Sequence, residues 1–128
     1  MKSLEFNTGE TDLRAVLKDY KEIALRTLWE SKQGLNSRTV WQQVNKRLTP
    51  ETISRASIIN YLEDMRERGI LNGVEETGKG GHHWAYAPAM DESGFKKHVA
   101  ETLIGCLMRD FPEETKNAIK QAPAQQTV

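Results

Sequence analysis

Within residues 55–60, the side chains of Arg55, Ala56, Ser57, Ile59 and Asn60 are of the types that can read base-pair edges. An asparagine amide donates and accepts at once and can pair bidentately with adenine in a major groove. An arginine fork suits a guanine or a phosphate, and a serine hydroxyl bonds a base or a phosphate. Ala56 and Ile59 can touch a thymine methyl group. This chemistry requires one exposed helix face, and the surrounding stretch SRASIINYLEDMRERGIL, 54–71, has the pattern for it. Ser54 can cap the helix by accepting from its first free amides. Ile58, Tyr61, Leu62 and Met65 recur at helical spacing as a core stripe, and Gly69 ends the helix. Ala56, Asn60, Glu63 and Glu67 fall opposite that stripe, with Ser57 and Ile59 on its flanks. An ordinary amphipathic helix has the same periodicity, so the neighbouring segments decide between the two readings.

Residues 1–10 lack periodicity and read as a flexible arm. A helix is expected from Thr11 or Asp12 to about Glu30, with Leu13, Val16, Leu17, Tyr20, Ile23, Ala24, Thr27 and Leu28 as its apolar stripe and Trp29 at the core's edge. Ser37 is expected to cap a second helix, Arg38 to Leu48, with Val40, Val44 and Leu48 inward. After it, TPET at 49–52 reads as a turn. A short helix, a turn and the 54–69 helix make a helix-turn-helix. Leu71 to Thr77 and His82 to Ala87 read as two strands around the tip Gly78-Lys79-Gly80-Gly81. On the second strand His82, Trp84 and Tyr86 share one side, and His83, Ala85 and Ala87 the other. A hairpin in this position makes a winged helix. A last helix from about Asp91 to Asp110 or Phe111 has the apolar line Phe95, Val99, Leu103, Leu107 and Phe111, with Cys106 beside it. That is more apolar surface than a peripheral helix needs, and a second copy of the chain is the expected cover.

The expected fold class is therefore mainly α with a small β-hairpin, a winged helix-turn-helix plus a C-terminal dimerisation helix. Its divisions are an arm (1–10), a winged-helix domain (11–90), a dimerisation helix region (91–120) and a polar, disordered tail (121–128). Hydrophobic residues make up 38% and charged residues 28%, which suits a soluble chain. No apolar run approaches the roughly 18–20 residues of a membrane span, the N-terminus has no signal-peptide core, and the lone Cys106 fits a reducing cytoplasm. Eighteen basic and eighteen acidic residues cancel, yet the run 31–50 contains Lys32, Arg38, Lys46 and Arg47 and no acid. Charge facing a duplex matters more than the total. Arg38, Lys46, Arg47, Lys79 and His82 are the phosphate candidates, which position a protein without specifying sequence. His82, His83, His98 and Cys106 lack metal-site spacing, and no catalytic motif is present. No enzyme activity, metal, cofactor or small-molecule ligand is expected.

Three stretches carry a family resemblance: KEIALRTLWES at 21–31, SIINYLEDMRERGIL at 57–71 and WAYAPAM at 84–90. In order and spacing the chain resembles the penicillinase-repressor (BlaI/MecI-type) winged-helix regulators over roughly residues 12–111. The resemblance implies a homodimeric repressor on a near-palindromic operator of double-stranded DNA, with the 54–69 helix in the major groove and the C-terminal helices joining the subunits. Glu63, Asp64 and Glu67 make the end of that helix acidic, so it is expected to point away from phosphate. A competing expectation is a winged-helix module that docks on protein, favoured by the neutral charge and by this acidic end.

Overall fold

The structure, a computed structural model, describes residues 6–78 and 81–122, with side chains at all of these except 76–78 and 81–83. Among the described residues the chain is mainly helical, with five α-helices and one three-stranded antiparallel sheet. It divides into two compact units, 1–92 and 93–128.

The first unit opens with a departure from the expected single long helix. A 3-10 turn, Asp12–Ala15, is separated by Val16–Lys18 from α1, Asp19–Glu30. Asp12 and Asp19 both take positive φ, 55° and 37°, a region that aspartate tolerates better than most residues. The break lets Leu13, Val16 and Leu17 all reach the core alongside Ala24, Leu25 and Leu28. Of the expected stripe Leu13, Val16, Leu17, Ala24, Thr27 and Leu28 are buried and Tyr20 and Ile23 are half-buried, and the segment is not one continuous helix. Of the expected arm, residues 1–5 lie outside the described residues, and the Asn7 amide donates to Ala15 O at 2.6 Å.

The second helix, α2 (Ser37–Leu48), is capped by Asn36 rather than Ser37: the Asn36 side-chain oxygen accepts from the Thr39 amide at 2.8 Å. Leu35–Asn36 also form a two-residue strand, β1, that the sequence reading lacked. Helix α3, Arg55–Glu67, is capped by Ser54, whose hydroxyl oxygen accepts from the Ser57 amide at 3.1 Å. Ile58, Tyr61, Leu62 and Met65 are all buried, as the periodicity requires. Gly69, at φ +79°, makes the turn into the sheet, a conformation glycine adopts without strain. Strands β2 (Leu71–Gly78) and β3 (Gly81–Pro88) form the hairpin, with Glu75 opposite Trp84 and Gly73 opposite Tyr86. β1 adds to β3 only at Tyr86 and Ala85. The Trp29 indole donates to Met90 O at 3.0 Å, and Arg26 bonds Glu22, Glu92 and Asp12.

The second unit carries α4 (Glu92–Asp110, beginning on the last residue of the first unit) and α5 (Pro112–Gln121). Pro112 starts α5, where its missing N–H costs nothing. The Thr115 hydroxyl donates to Leu107 O at 3.1 Å and joins the two helices. No helix is long and apolar enough to cross a membrane among the described residues.

The cap of α2 is testable. Asn36→Ala should cost about 1 kcal/mol of unfolding free energy, whereas Ser37→Ala should stay within about 0.5 kcal/mol. Urea unfolding of the two variants checks this, and the reverse ranking would return the cap to Ser37.

Candidate nucleic-acid interface

Burial of the α3 stripe turns the opposite face outward. Arg55, Ala56, Ile59 and Asn60 are exposed, and Ser57 is half-buried. The five residues singled out in the sequence thus lie in the first two turns of one helix, with none in the core. Ser57 also serves the cap: its oxygen accepts from the Ser54 hydroxyl at 2.9 Å, leaving its own proton free to donate outward. The roll of α3 is fixed from beneath by the buried Tyr61, whose hydroxyl donates to Lys21 O at 3.2 Å. Burial raises the Tyr61 pKa, so the phenol stays protonated and keeps this bond.

The entry to α3 is held by residues the sequence reading did not single out. Asn45 on α2 accepts from the Ile53 amide at 2.8 Å and donates to Ile53 O at 3.2 Å. The Trp41 indole donates to the same carbonyl at 2.9 Å. Both backbone groups of Ile53 are therefore satisfied by α2, which fixes where α3 begins. Asn45 had no visible signal beyond being a polar residue inside an amphipathic helix.

The cations divide into two groups. Among the described residues Arg38, Lys46 and Arg55 are exposed and make no ion pair, and Arg38, Gln42 and Lys46 fall on one line of α2. Arg47 differs from expectation. It pairs with Glu30 of α1 at 2.5 Å, so part of its charge is already answered. Lys79 lies outside the described residues, as does the side chain of His82.

The acidic end of α3 is less acidic than its sequence suggests. Glu63 pairs with Arg66 at 2.8 Å and Asp64 with Arg68 at 3.1 Å, while Glu67 is exposed. Glu63 also accepts from the Tyr86 hydroxyl of β3. The Arg66 guanidinium lies over the Trp84 ring, 5.1 Å from its centroid. A methyl group at Gly73 of β2 would come within 2.4 Å of Arg66 Cδ. The bond from Arg66, then that from Tyr86, holds the Glu63 carboxyl below its ordinary pKa. Burial, reinforced by Glu63, raises that of Tyr86.

In the second unit the expected dimer line is only partly open. Phe95 is fully buried, whereas Leu103 and Phe111 are exposed. Cys106, beside that line, is exposed, and Arg109 approaches its sulfur at 3.5 Å. Ile104, Leu107, Phe111, Thr115, Ala118, Ile119 and Ala122 line an apolar groove between α4 and α5. The expected dimerisation region, 91–120, takes in most of α5 but its dimer line named none of these side chains, although Thr115, Ala118, Ile119 and Ala122 have the i, i+3, i+4, i+7 spacing of an apolar face. Among the described residues no cluster of three or more histidine, cysteine or acidic side chains is placed to hold a metal ion.

No protein-family model and no curated protein matches this chain.

Glu63 sets a pH dependence. Its folded pKa lies below the ordinary value of 4.5, so its contribution to stability is complete above that pH. The contribution is lost as pH falls from about 4.5 through the lower folded value. Unfolding free energy measured from pH 6 to pH 2.5 should therefore fall less steeply for Glu63→Gln than for the wild type. Superimposable acid limbs would show that the carboxylate contributes nothing.

Proposed function

We propose that this chain is a winged-helix transcription regulator that binds double-stranded DNA in a sequence-specific manner, acting as a homodimeric repressor on a near-palindromic operator. The observation that supports it most directly is the outward half of α3, where Arg55, Ala56, Ser57, Ile59 and Asn60 stand together, with Arg38 and Lys46 of α2 exposed and making no ion pair among the described residues. In this reading α3 enters the major groove by its N-terminal half, with Asn60 on an adenine and Arg55 on a guanine or phosphate. Arg38 and Lys46 hold the backbone, and the β2–β3 hairpin is the wing. Pairing of Glu63 and Asp64 with Arg66 and Arg68 lessens the repulsion that the acidic end of α3 would offer to phosphates. The likeness to the penicillinase-repressor family in helix order, α3 sequence and wing exit supports the same reading. The dimer is inferred from Ile104, Phe111 and Ile119, which stand 45%, 50% and 54% exposed around one apolar groove. Blocking polymerase from an occupied operator needs nothing beyond binding.

A second reading, a module that docks on protein, is favoured by the neutral total charge and by the exposed Ile59, Val74 and Trp84. Salt separates the two, because phosphate contacts release counterions and affinity then falls steeply with ionic strength.

Binding of the purified protein to its own upstream promoter, and then to genomic fragments, tests the proposal across a salt series. Asn60→Ala should lose about 1–3 kcal/mol on the preferred sequence and little on others. Lys46→Ala should weaken all sequences alike and lower the salt slope by about 1. Absence of binding to any fragment at low salt would overturn the DNA reading in favour of a protein partner.

The dimer has its own test. Sedimentation should give a mass near twice 14.6 kDa, and Ile104→Glu should shift it toward the monomer while leaving the unfolding of the first unit unchanged. A monomeric wild type at all accessible concentrations would refute the dimer.

A further inference from the structure

Two parts of the first unit are offered to DNA in the reading above, the face of α3 and the hairpin, and they must address one duplex at a fixed angle. Core packing sets only the inner half of the hairpin, where Leu71, Ala85 and Tyr86 are buried, while Val74 and Trp84 further out are exposed. A two-stranded ribbon is weak on its own, and β1 braces β3 only at Ala85 and Tyr86. The next position outward, Trp84, lies beyond that brace, and there α3 takes over. The Arg66 guanidinium lies over the Trp84 ring, 5.1 Å from its centroid, on the side that Gly73 keeps open by having no Cβ. Glu63, one turn earlier on α3, holds Arg66 at 2.8 Å and also accepts from Tyr86, two residues along the same strand. One carboxylate and one guanidinium thus grip two same-face residues of β3 from a single helix edge.

The stack is not simply stabilising. Arg66 Nε is buried with no hydrogen-bond partner among the described residues, a placement that costs free energy and that lysine, methionine or leucine would avoid. A guanidinium placed over an indole and bonded to a carboxylate has both partners fixed, as an apolar contact would not. We infer that Arg66, held by Glu63, is a positioning residue that sets the angle between the hairpin and the reading face of α3, so that the flanks of the operator are contacted only when α3 is seated on its bases. This rests on the DNA-binding reading and adds the device that couples its two contact regions.

Arg66→Lys keeps the charge and removes the flat fork; Tyr86→Phe removes only the hydroxyl that reaches Glu63. Two measurements on the whole 128-residue chain test the inference. Without DNA, amide residual dipolar couplings of β2 and β3 relative to α3 should change in Arg66→Lys, and the upfield ring-current shift of the side-chain methylenes at position 66 should disappear. With DNA, hydroxyl-radical footprints on a sequence selected by the wild type should retain the protection centred on the Asn60-dependent bases. The flanking protection should be lost even at saturating protein, with about tenfold weaker binding. Tyr86→Phe should shift both readouts in the same direction by less, and it serves as the folded control if Arg66→Lys unfolds.

Unchanged couplings and a full footprint at saturation would overturn the inference and leave the regulator reading standing. So would a loss of affinity that merely follows the unfolded fraction, because a structural role alone gives a complete footprint once protein is in excess. Failure of the wild type to bind any selected DNA would instead overturn the regulator reading, and the footprint part of the inference with it. The couplings would still report whether Arg66 orients the hairpin.

Discussion

The buried edge of α3 is the constraint on which the rest of the first unit depends. Ile58, Tyr61, Leu62 and Met65 are at most 4% exposed, and a helix with 3.6 residues per turn cannot bury those four without turning Ala56, Ile59 and Asn60 outward. The Tyr61 hydroxyl on Lys21 O resists rotation of the helix about its axis, and the Asn45 and Trp41 bonds to Ile53 resist its sliding along it. Core packing and the candidate reading face are therefore two sides of one geometric fact. Side chains that packing does not use are available for contact, and the scaffold beneath keeps them in one place.

Charge behaves differently at this scale from its sum over the chain. Eighteen cations and eighteen anions cancel, but the cancellation is uneven in space. Glu30, Glu63 and Asp64 are engaged by Arg47, Arg66 and Arg68, whereas Arg38, Lys46 and Arg55 face solvent unpaired among the described residues. Exposed pairs of this kind add little stability. Their consequence is the local field, in which some acids are masked by neighbours on their own helix and a few cations are left to act at short range. In the proposed reading, a duplex approaching this face meets the remainder, screened beyond about 10 Å at ordinary salt.

The second unit follows a separate logic. A helix pair joined through Pro112 and the Thr115–Leu107 hydrogen bond is too small to cover its own apolar residues, so Ile104, Phe111 and Ile119 stay in contact with water. Such surface is costly to leave open, and its position around one groove gives it a shape that a self-complementary partner can fill.

The sequence by itself determined everything that depends on periodicity and local chemistry. The α3 stripe, its Ser54 cap, the Gly69 stop and the hairpin all follow from near-neighbour rules, and so does the set of residues facing outward from α3; on β3 Ala85 and Tyr86 are both buried while Trp84 is exposed. It determined less where two local rules compete or where the partner is far away in the chain. The helix expected from Asp12 to Glu30 broke because its apolar residues reach the core better as a 3-10 turn plus a helix. The cap of α2 moved from Ser37 to Asn36, because Asn36 already sits extended as the end of β1. That strand has no local signal, since its two residues are ordered by pairing with β3 some fifty positions later. Only the tertiary structure could bring Arg66 over Trp84 beside Gly73, join Glu63 to Tyr86, pair Arg47 with Glu30, bury Phe95 and expose Cys106. Periodicity assigns a residue to a face; which side chain from another element meets it there is decided by how the elements pack.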